Sequence, residues 1–220
     1  MNRALITGAS DGLGYEIAKI LVSKKWEAVS LSRTAPRDNL IKHISTDLTI
    51  PESIDSSVLV IRQLYCDFNV IINCAGIINV RKLGEIDYSE SIELMKTNLV
   101  GPMYLISSVI DLIKKNEADI INVGSTIGYK AYPDQIAYGA SKWGIRGLNE
   151  NLRMEFKDTK SRVIGFMPGG FKSKLFEKYT GESIDISRYM DPGDLAKFLV
   201  QIIELPKTME ISEVIINRKL

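Results

Sequence analysis

The chain has 220 residues, 45% of them hydrophobic, which suits one α/β domain with a large core. Its 28 Lys and Arg balance 27 Asp and Glu, and a net charge of +1 excludes a global field that would draw in nucleic acid or an anionic membrane. No apolar run approaches the ~20 residues of a membrane span, no signal-peptide core opens the chain, and a lone His43 with two cysteines, Cys66 and Cys74, gives little to a metal site or disulfide framework. The expectation is a cytoplasmic protein with buried free thiols and no metal.

Ala4-Leu5-Ile6 is a short apolar run that reads as a buried strand. It runs into Thr7-Gly8-Ala9-Ser10-Asp11-Gly12-Leu13-Gly14, and an amphipathic helix follows to about residue 25. Strand, glycine turn and helix together are the context in which glycines mark a dinucleotide site. Gly8 permits the tight turn, Gly12 lets backbone N–H groups reach a pyrophosphate, and Gly14 allows close helix–strand packing. The phosphates would sit at the positive end of the helix.

Residues 28–31 form the second strand, ending at Ser32-Arg33, and residues 42–45 the third, leading into Asp47-Leu48. Pro51 opens a helix to about Tyr65. Residues 68–72 are near-continuously apolar, as a central parallel strand covered on both faces would be, and they run into Asn73-Cys74-Ala75-Gly76. Asp47 is a candidate acceptor for an adenine amino group, and the Asn73–Gly76 turn would let a cofactor approach the sheet edge. Residues 89–115 read as helical with an interruption at Asn98-Leu99-Val100-Gly101-Pro102. Pro102 cannot donate to the Asn98 carbonyl, so the helix either bends there, leaving that carbonyl to water, or ends.

Residues 118–123 are the fifth strand, running into Gly124-Ser125-Thr126. A hydroxyl at that end of a parallel strand lies where doubly wound sheets bind ligands. A helix over 138–156 follows, then a sixth strand over 162–167 with Pro168-Gly169-Gly170-Phe171-Lys172-Ser173 after it. Residues 174–190 mix polar side chains with Leu175, Phe176, Tyr179 and Tyr189 and read as a lid. Asp191 caps a last helix to about Leu205, and residues 211–217 supply a seventh strand. Regular alternation of strands and helices predicts a parallel sheet with helices on both faces.

The chemistry centres on Tyr138-Gly139-Ala140-Ser141-Lys142. Four residues apart on a helix, Tyr138 and Lys142 share a face. A phenol with an ordinary pKa of roughly 10 is a poor base near neutrality. An ammonium about 4 Å away, at an effective dielectric of ~20, would favour the phenolate by about 4 kcal/mol, or roughly three pKa units.

Together these residues resemble the short-chain dehydrogenase/reductase family over essentially the whole chain. Thr7-Gly8-x3-Gly12-x-Gly14 is similar to its cofactor loop, Asn73-Cys74-Ala75-Gly76 to its NNAG segment with Cys in the second place, and Pro168-Gly169 to its PG segment, with Ser173 where threonine is usual. Asn98, Ser125, Tyr138 and Lys142 fall where that family carries its catalytic tetrad. The resemblance implies a Rossmann-like doubly wound parallel sheet of about seven strands and an NAD(P)-dependent oxidoreductase acting on a small carbonyl or alcohol. Ser125 would hold the substrate carbonyl and Tyr138 would exchange its proton. Lys142 would bind the nicotinamide ribose and lower the phenol's pKa, and Asn98 would keep a water linking Lys142 to solvent. The implied cofactor contacts are Gly8, Ser10, Asp11, Gly12, Leu13 and Gly14, then Ser32, Arg33, Asp47 and Leu48, then Asn73, Ala75 and Gly76, with Tyr138, Lys142, Pro168, Gly169, Phe171 and Ser173. Ile215-Ile216-Asn217-Arg218-Lys219-Leu220 stands where the family's Val-Asp-Gly-Gly end often supports tetramers, so a tetramer is not expected. A homodimer through the helices at 100–115 and 138–156 is, since Gly139, Ala140, Gly144 and Gly147 allow close approach. A catalytically silent dinucleotide-binding sensor or scaffold is the alternative, and the intact Tyr and Lys argue against it.

NAD sites place an acidic residue about 20 residues beyond the glycines, on the ribose 2′-OH. Here Ser32 and Arg33 stand at that place, with no carboxylate until Asp38. A guanidinium can fork onto a 2′-phosphate, so NADP is expected over NAD, with Arg37 in reserve if its loop folds back. Asp11 opposes this choice, and an outward turn would screen it.

Overall fold

The computed structural model describes residues 1–181 and 185–219, the side chains of Tyr179 and Thr180 excepted. Seven short runs, each too brief for a buried helix, pair into one sheet. They are β1 (Arg3–Thr7), β2 (Glu27–Ser32), β3 (Lys42–Ser45), β4 (Val70–Asn73), β5 (Asp119–Val123), β6 (Val163–Pro168) and β7 (Glu213–Ile216). Their order is β3-β2-β1-β4-β5-β6-β7, with every pairing parallel. The chain winds outward from β1 to β3, returns to the centre, and winds the other way from β4 to β7. The reversal between β1 and β4 opens a crevice at the carboxyl ends of the strands.

Helices α1 (Gly12–Ser23), α2 (Pro51–Leu64), α3 (Tyr88–Met95), α4 (Gly101–Ser108), α5 (Ile110–Asn116), α6 (Ile136–Phe156), α7 (Leu175–Thr180) and α8 (Pro192–Ile203) follow the strands. Successive strand side chains point to opposite faces, so β1 feeds two cores. Ala4 and Ile6 pack with Ile17, Leu21, Leu199 and Ile203 of α1 and α8. Leu5 packs on the other side with Ile54, Ile61, Leu105 and Ile113 of α2, α4 and α5. A strand buried on both faces cannot alternate polar and apolar residues, which is why 68–72 reads as one apolar run.

The helical run expected over 89–115 is continuous through Pro102. Residues Lys96–Val100 form a π-helical turn, in which the Gly101 N–H donates to the Lys96 carbonyl five residues back. The widened turn accommodates the proline in the first turn of α4. The break falls instead at Val109, whose extended φ of −120° separates α4 from α5.

The opposite end of the sheet carries a buried ion pair. Asp119 and Arg162 are 2% and 4% exposed, with Arg162 Nη2 donating to Asp119 Oδ2 at 2.6 Å. The same guanidinium donates to the Ile203 and Leu205 carbonyls, and Lys207 reaches the second carboxylate oxygen. This cluster ties the connection between α8 and β7 to the sheet.

Of the segment read as a lid, α7 is helical and Met190 forms an isolated parallel bridge with Phe171. Its residues 182–184 and the side chain of Tyr179 lie outside the described residues.

Candidate active site

A cavity of about 440 Å³ runs along the carboxyl edge of the sheet, from Ser32 and Arg33 at the end of β2, past the glycine loop after β1 and the turn after β4, to Gly124 at the end of β5. Neighbouring parallel strands lie about 4.8 Å apart, so these ends are separated by about 14 Å. The floor of the cavity depends on glycine. Gly8 has φ +73°, and a Cβ there would lie 2.7 Å from the Ala75 Cα; one on Gly14 would lie 2.7 Å from the Gly8 carbonyl. Strand, turn and helix therefore approach as the sequence predicted. Thr7 Oγ1 accepts the Cys74 and Ala75 N–H groups at 3.0 and 3.1 Å, fixing the turn after β4 against the turn after β1. Gly12 has open space where a Cβ would be, at the amino end of α1. That cradle fits the diphosphate of a dinucleotide, whose charge the helix end would stabilise.

Most of the expected cofactor contacts line this cavity: Gly8, Ser10, Asp11, Gly12, Leu13 and Gly14; Ser32, Arg33, Asp47 and Leu48; Ala75, Gly76, Tyr138, Lys142, Phe171 and Ser173. Three do not. Asn73 turns into the fold, its Nδ2 donating to Asn122 Oδ1 at 2.7 Å, and Asn122 in turn donates to Asn149 on α6. Pro168 is the last residue of β6, paired with Ile216, and the Gly169 N–H donates to the Ile216 carbonyl at 2.7 Å, so both are held by β7. Residues that the sequence reading did not single out also line the cavity, among them Thr46, Ile77, Thr97, Lys174 and Lys178. The two lysines could have been found from their four-residue spacing beside Ser173.

Two further expectations need correcting near β2. The Ser32 hydroxyl, buried beside Ser30 Oγ at 2.8 Å, donates to the Thr34 carbonyl, so its proton is spent within the turn. Arg37 lies over the Tyr15 ring at 4.3 Å and lines an adjoining cavity instead. Asp11 is exposed, as expected. Asp47 Oδ1 accepts from the Thr49 N–H and hydroxyl at 2.9 and 2.7 Å.

At the β5 end, α6 presents Tyr138 and Lys142 on one face. Lys142 is 5% exposed, and its Nζ donates to the Val123 carbonyl at 3.1 Å. Burial lowers its pKa to about 8. The ammonium lies 5.8 Å from the centre of the Tyr138 ring. Burial raises the Tyr138 pKa, partly opposed by its hydrogen bond with the Ser125 side chain. The expected depression of the phenol by a cation at about 4 Å is therefore not what this arrangement produces. Burial raises the phenol's pKa, the Ser125 bond opposes it, and the Lys142 ammonium is bonded to a strand carbonyl instead. The phenol keeps its proton at neutral pH and can donate it.

Asn98 and Ser125 do not line the cavity wall. Asn98, 2% exposed, accepts the Ile77 N–H at 2.8 Å and donates to the Ile77 carbonyl and to Ser141 Oγ. Its side chain clamps the segment after Gly76 to α6, which leaves open the expectation that its backbone carbonyl meets a water. Ser125 follows Gly124, and its Oγ accepts from the Ile127 N–H at 3.3 Å. The cysteines are unpaired in any disulfide and half-buried rather than buried. The Cys74 thiol is pushed up to about 12 by burial, with Lys142 opposing, and is neutral. Among the described residues no group of three acidic, Cys or His side chains could hold a metal, and no helix is long and apolar enough to cross a membrane.

Known proteins share this architecture. The family model described as short chain dehydrogenase matches residues 2–183. A 3-oxoacyl-(acyl-carrier-protein) reductase, FabG, of Buchnera aphidicola is 31% identical over 207 residues, 89% of this chain and 83% of its own. An alcohol dehydrogenase from Thermococcus sibiricus, solved with 5-hydroxy-NADP, superposes with a TM-score of 0.90 at 22% identity, covering 99% of this chain and 97% of that one. A metagenomic short-chain oxidoreductase in complex with NADP gives 0.85 at 24% identity, covering all of this chain and 97% of its own. By the extent of the family match and the identity to FabG, the chain belongs to the short-chain dehydrogenases and is an oxidoreductase of that family.

Proposed function

We propose that the protein transfers a hydride between NADPH and a small carbonyl or alcohol substrate, with Tyr138 as acid and base. The observation that carries this reading is Tyr138 and the buried Lys142 on one helical face, at the end of a cavity that begins at Arg33. Tyr138 would donate its proton to the alkoxide as hydride reaches the carbonyl carbon, and recover it in the oxidative direction. Ser125, bonded to the same phenol, would hold the substrate oxygen. Lys142 would bind the nicotinamide ribose and, once turned towards the phenol, ease loss of its proton. The bound nicotinamide supplies the hydride chemistry itself. Because burial raises the Tyr138 pKa, reduction should run well at neutral pH, and oxidation should quicken as pH rises.

Preference for NADPH rests on Arg33, at the end of β2 and on the cavity wall, standing where NAD sites carry an acidic residue. Two structural relatives were solved with NADP or its 5-hydroxy derivative, which agrees with that choice. A charged hydrogen bond of ~1.5–3 kcal/mol corresponds to a preference of about ten- to a hundredfold. The test follows NADPH and NADH oxidation on a panel of ketones and aldehydes with three proteins. Wild type should favour NADPH, Arg33→Ala should lose that advantage with NADH little changed, and Tyr138→Phe should lose turnover while binding NADPH within a few fold. Equal kcat/KM with both nucleotides would remove the NADP assignment, and near-wild-type rates in Tyr138→Phe would remove the acid/base role.

A further inference from the structure

We propose that Arg146 is a positioning residue: it holds the turn carrying Ser125 against α6, and so sets the Ser125 hydroxyl against the Tyr138 phenol. This rests on the proposed acid/base reading of those two groups. Arg146 lies one helical turn beyond Lys142 and two beyond Tyr138, so α6 presents all three on one side. Its Nη1 donates to the Gly128 carbonyl at 3.1 Å, and its guanidinium lies 3.8 Å from the centre of the Tyr129 ring. Glu213 at the start of β7 completes the setting, with its Oε1 in an ion pair 3.5 Å from Arg146 Nε.

Two bonds from α6 therefore straddle Ser125. Lys142 Nζ takes the Val123 carbonyl before it, and Arg146 takes the Gly128 carbonyl after it. Between them the chain makes a single 3-10 turn over Thr126–Gly128, closed by the Gly128 N–H on the Ser125 carbonyl at 3.0 Å. The turn rests directly on the helix, since a Cβ on Gly128 would lie 3.2 Å from the Lys142 carbonyl and 3.3 Å from Arg146 Cδ. The two clamps differ in what else is asked of them. The proposed reaction needs the Lys142 ammonium at the ribose and the phenol, so its bond to Val123 is given up there. Arg146 has no such second task, because Gly128, Tyr129 and Glu213 all lie off the cavity wall. A planar guanidinium stacked on one ring and paired with one carboxylate is held in direction, and it is the clamp that remains while Lys142 is engaged.

The test is a double-mutant cycle of Ser125→Ala and Arg146→Ala with two readouts. One is kcat on a substrate that wild type accepts. The other is the ultraviolet titration of the Tyr138 phenolate in the nucleotide-free protein, with Tyr138→Phe as the blank. The Ser125 bond holds the phenol's pKa down against burial, so loosening it should move that titration to higher pH. Lys142 on α6, the Cys74 thiol after β4 and Lys174 after β6 line the same cavity and are the same in every variant. Arg146→Ala should lower kcat roughly tenfold with NADPH affinity within about twofold, and move the titration upward as Ser125→Ala does. In the double variant neither readout should move beyond that of Ser125→Ala. Additive losses or additive shifts would overturn the proposal and leave Arg146 a separate charge or a strut of the fold. Wild-type kcat and titration in Arg146→Ala would overturn it as well. Wild-type rates in Ser125→Ala would defeat the reading of Ser125 as the substrate's holder, and this proposal with it.

Discussion

Replacing Lys142 with methionine should make the protein more stable at neutral pH while removing the ammonium that the proposed mechanism uses. Burial lowers the Lys142 pKa from 10.5 to about 8, which at ~1.36 kcal/mol per pH unit corresponds to a folding penalty of about 3 kcal/mol. Below about pH 8 the side chain is charged in both states and the penalty is complete. Between about 8 and 10.5 the unfolded chain holds the proton that the folded protein has released, so wild-type stability rises with pH. Methionine has similar length and no charge to bury. Its loss is the bond from the charged Nζ to the Val123 carbonyl, ~1.5–3 kcal/mol. The net gain at pH 7 is then about 1 kcal/mol, and by pH 9.5 the rise of the wild type, about 2 kcal/mol, should reverse it. Urea unfolding of both proteins at the two pH values measures this, with m-values checked for constancy. A variant less stable than wild type at pH 7, or a difference that does not change with pH, would refute the reasoning.

Three further outcomes are expected. Gly8→Ala should lower stability by at least ~1–2 kcal/mol, since it forces a left-handed φ of +73° and sets a Cβ against the Ala75 backbone; thermal unfolding would show it, and nucleotide affinity should fall as well. Asp119→Asn should cost about 3–5 kcal/mol, because the Arg162 guanidinium stays buried without its counter-charge; a urea midpoint equivalent to less than about 1 kcal/mol would contradict that. Light scattering at tens of micromolar should report a homodimer through the helices at 100–115 and 138–156, where Val100, Met103, Tyr104, Trp143 and Met154 are exposed, and a monomer would end the idea. Gly144 is not free to serve that contact in the way the sequence suggested, since a Cβ there would meet the chain's own Leu99 at 2.6 Å.

What the sequence determined by itself is whatever local periodicity and ordered motifs encode. Short apolar runs alternating with amphipathic helices led to a parallel sheet, and the observed strands depart from the predicted ends by a residue or two. The glycine turn, the Asn73–Gly76 turn and Arg33 were legible because backbone spacing alone places them at carboxyl ends of strands, and the Tyr138/Lys142 face because a four-residue spacing sets both on one side of α6. Tertiary structure decided where the side chains go from there. The side chains of Asn98, Asn73 and Ser32 take partners inside the fold, on Ile77, Asn122 and Thr34, which no spacing in the sequence foretold. The protonation of Tyr138 and Lys142 was beyond the sequence for the same reason. A four-residue spacing brings phenol and ammonium to one face, but their pKa values depend on burial and on the Val123 and Ser125 partners, which arrive from β5 and the turn after it. The ion pair of Asp119 with Arg162 likewise joins residues far apart in the chain. Such contacts leave no periodic trace, because they are made by the winding of the sheet and not by any one of its elements.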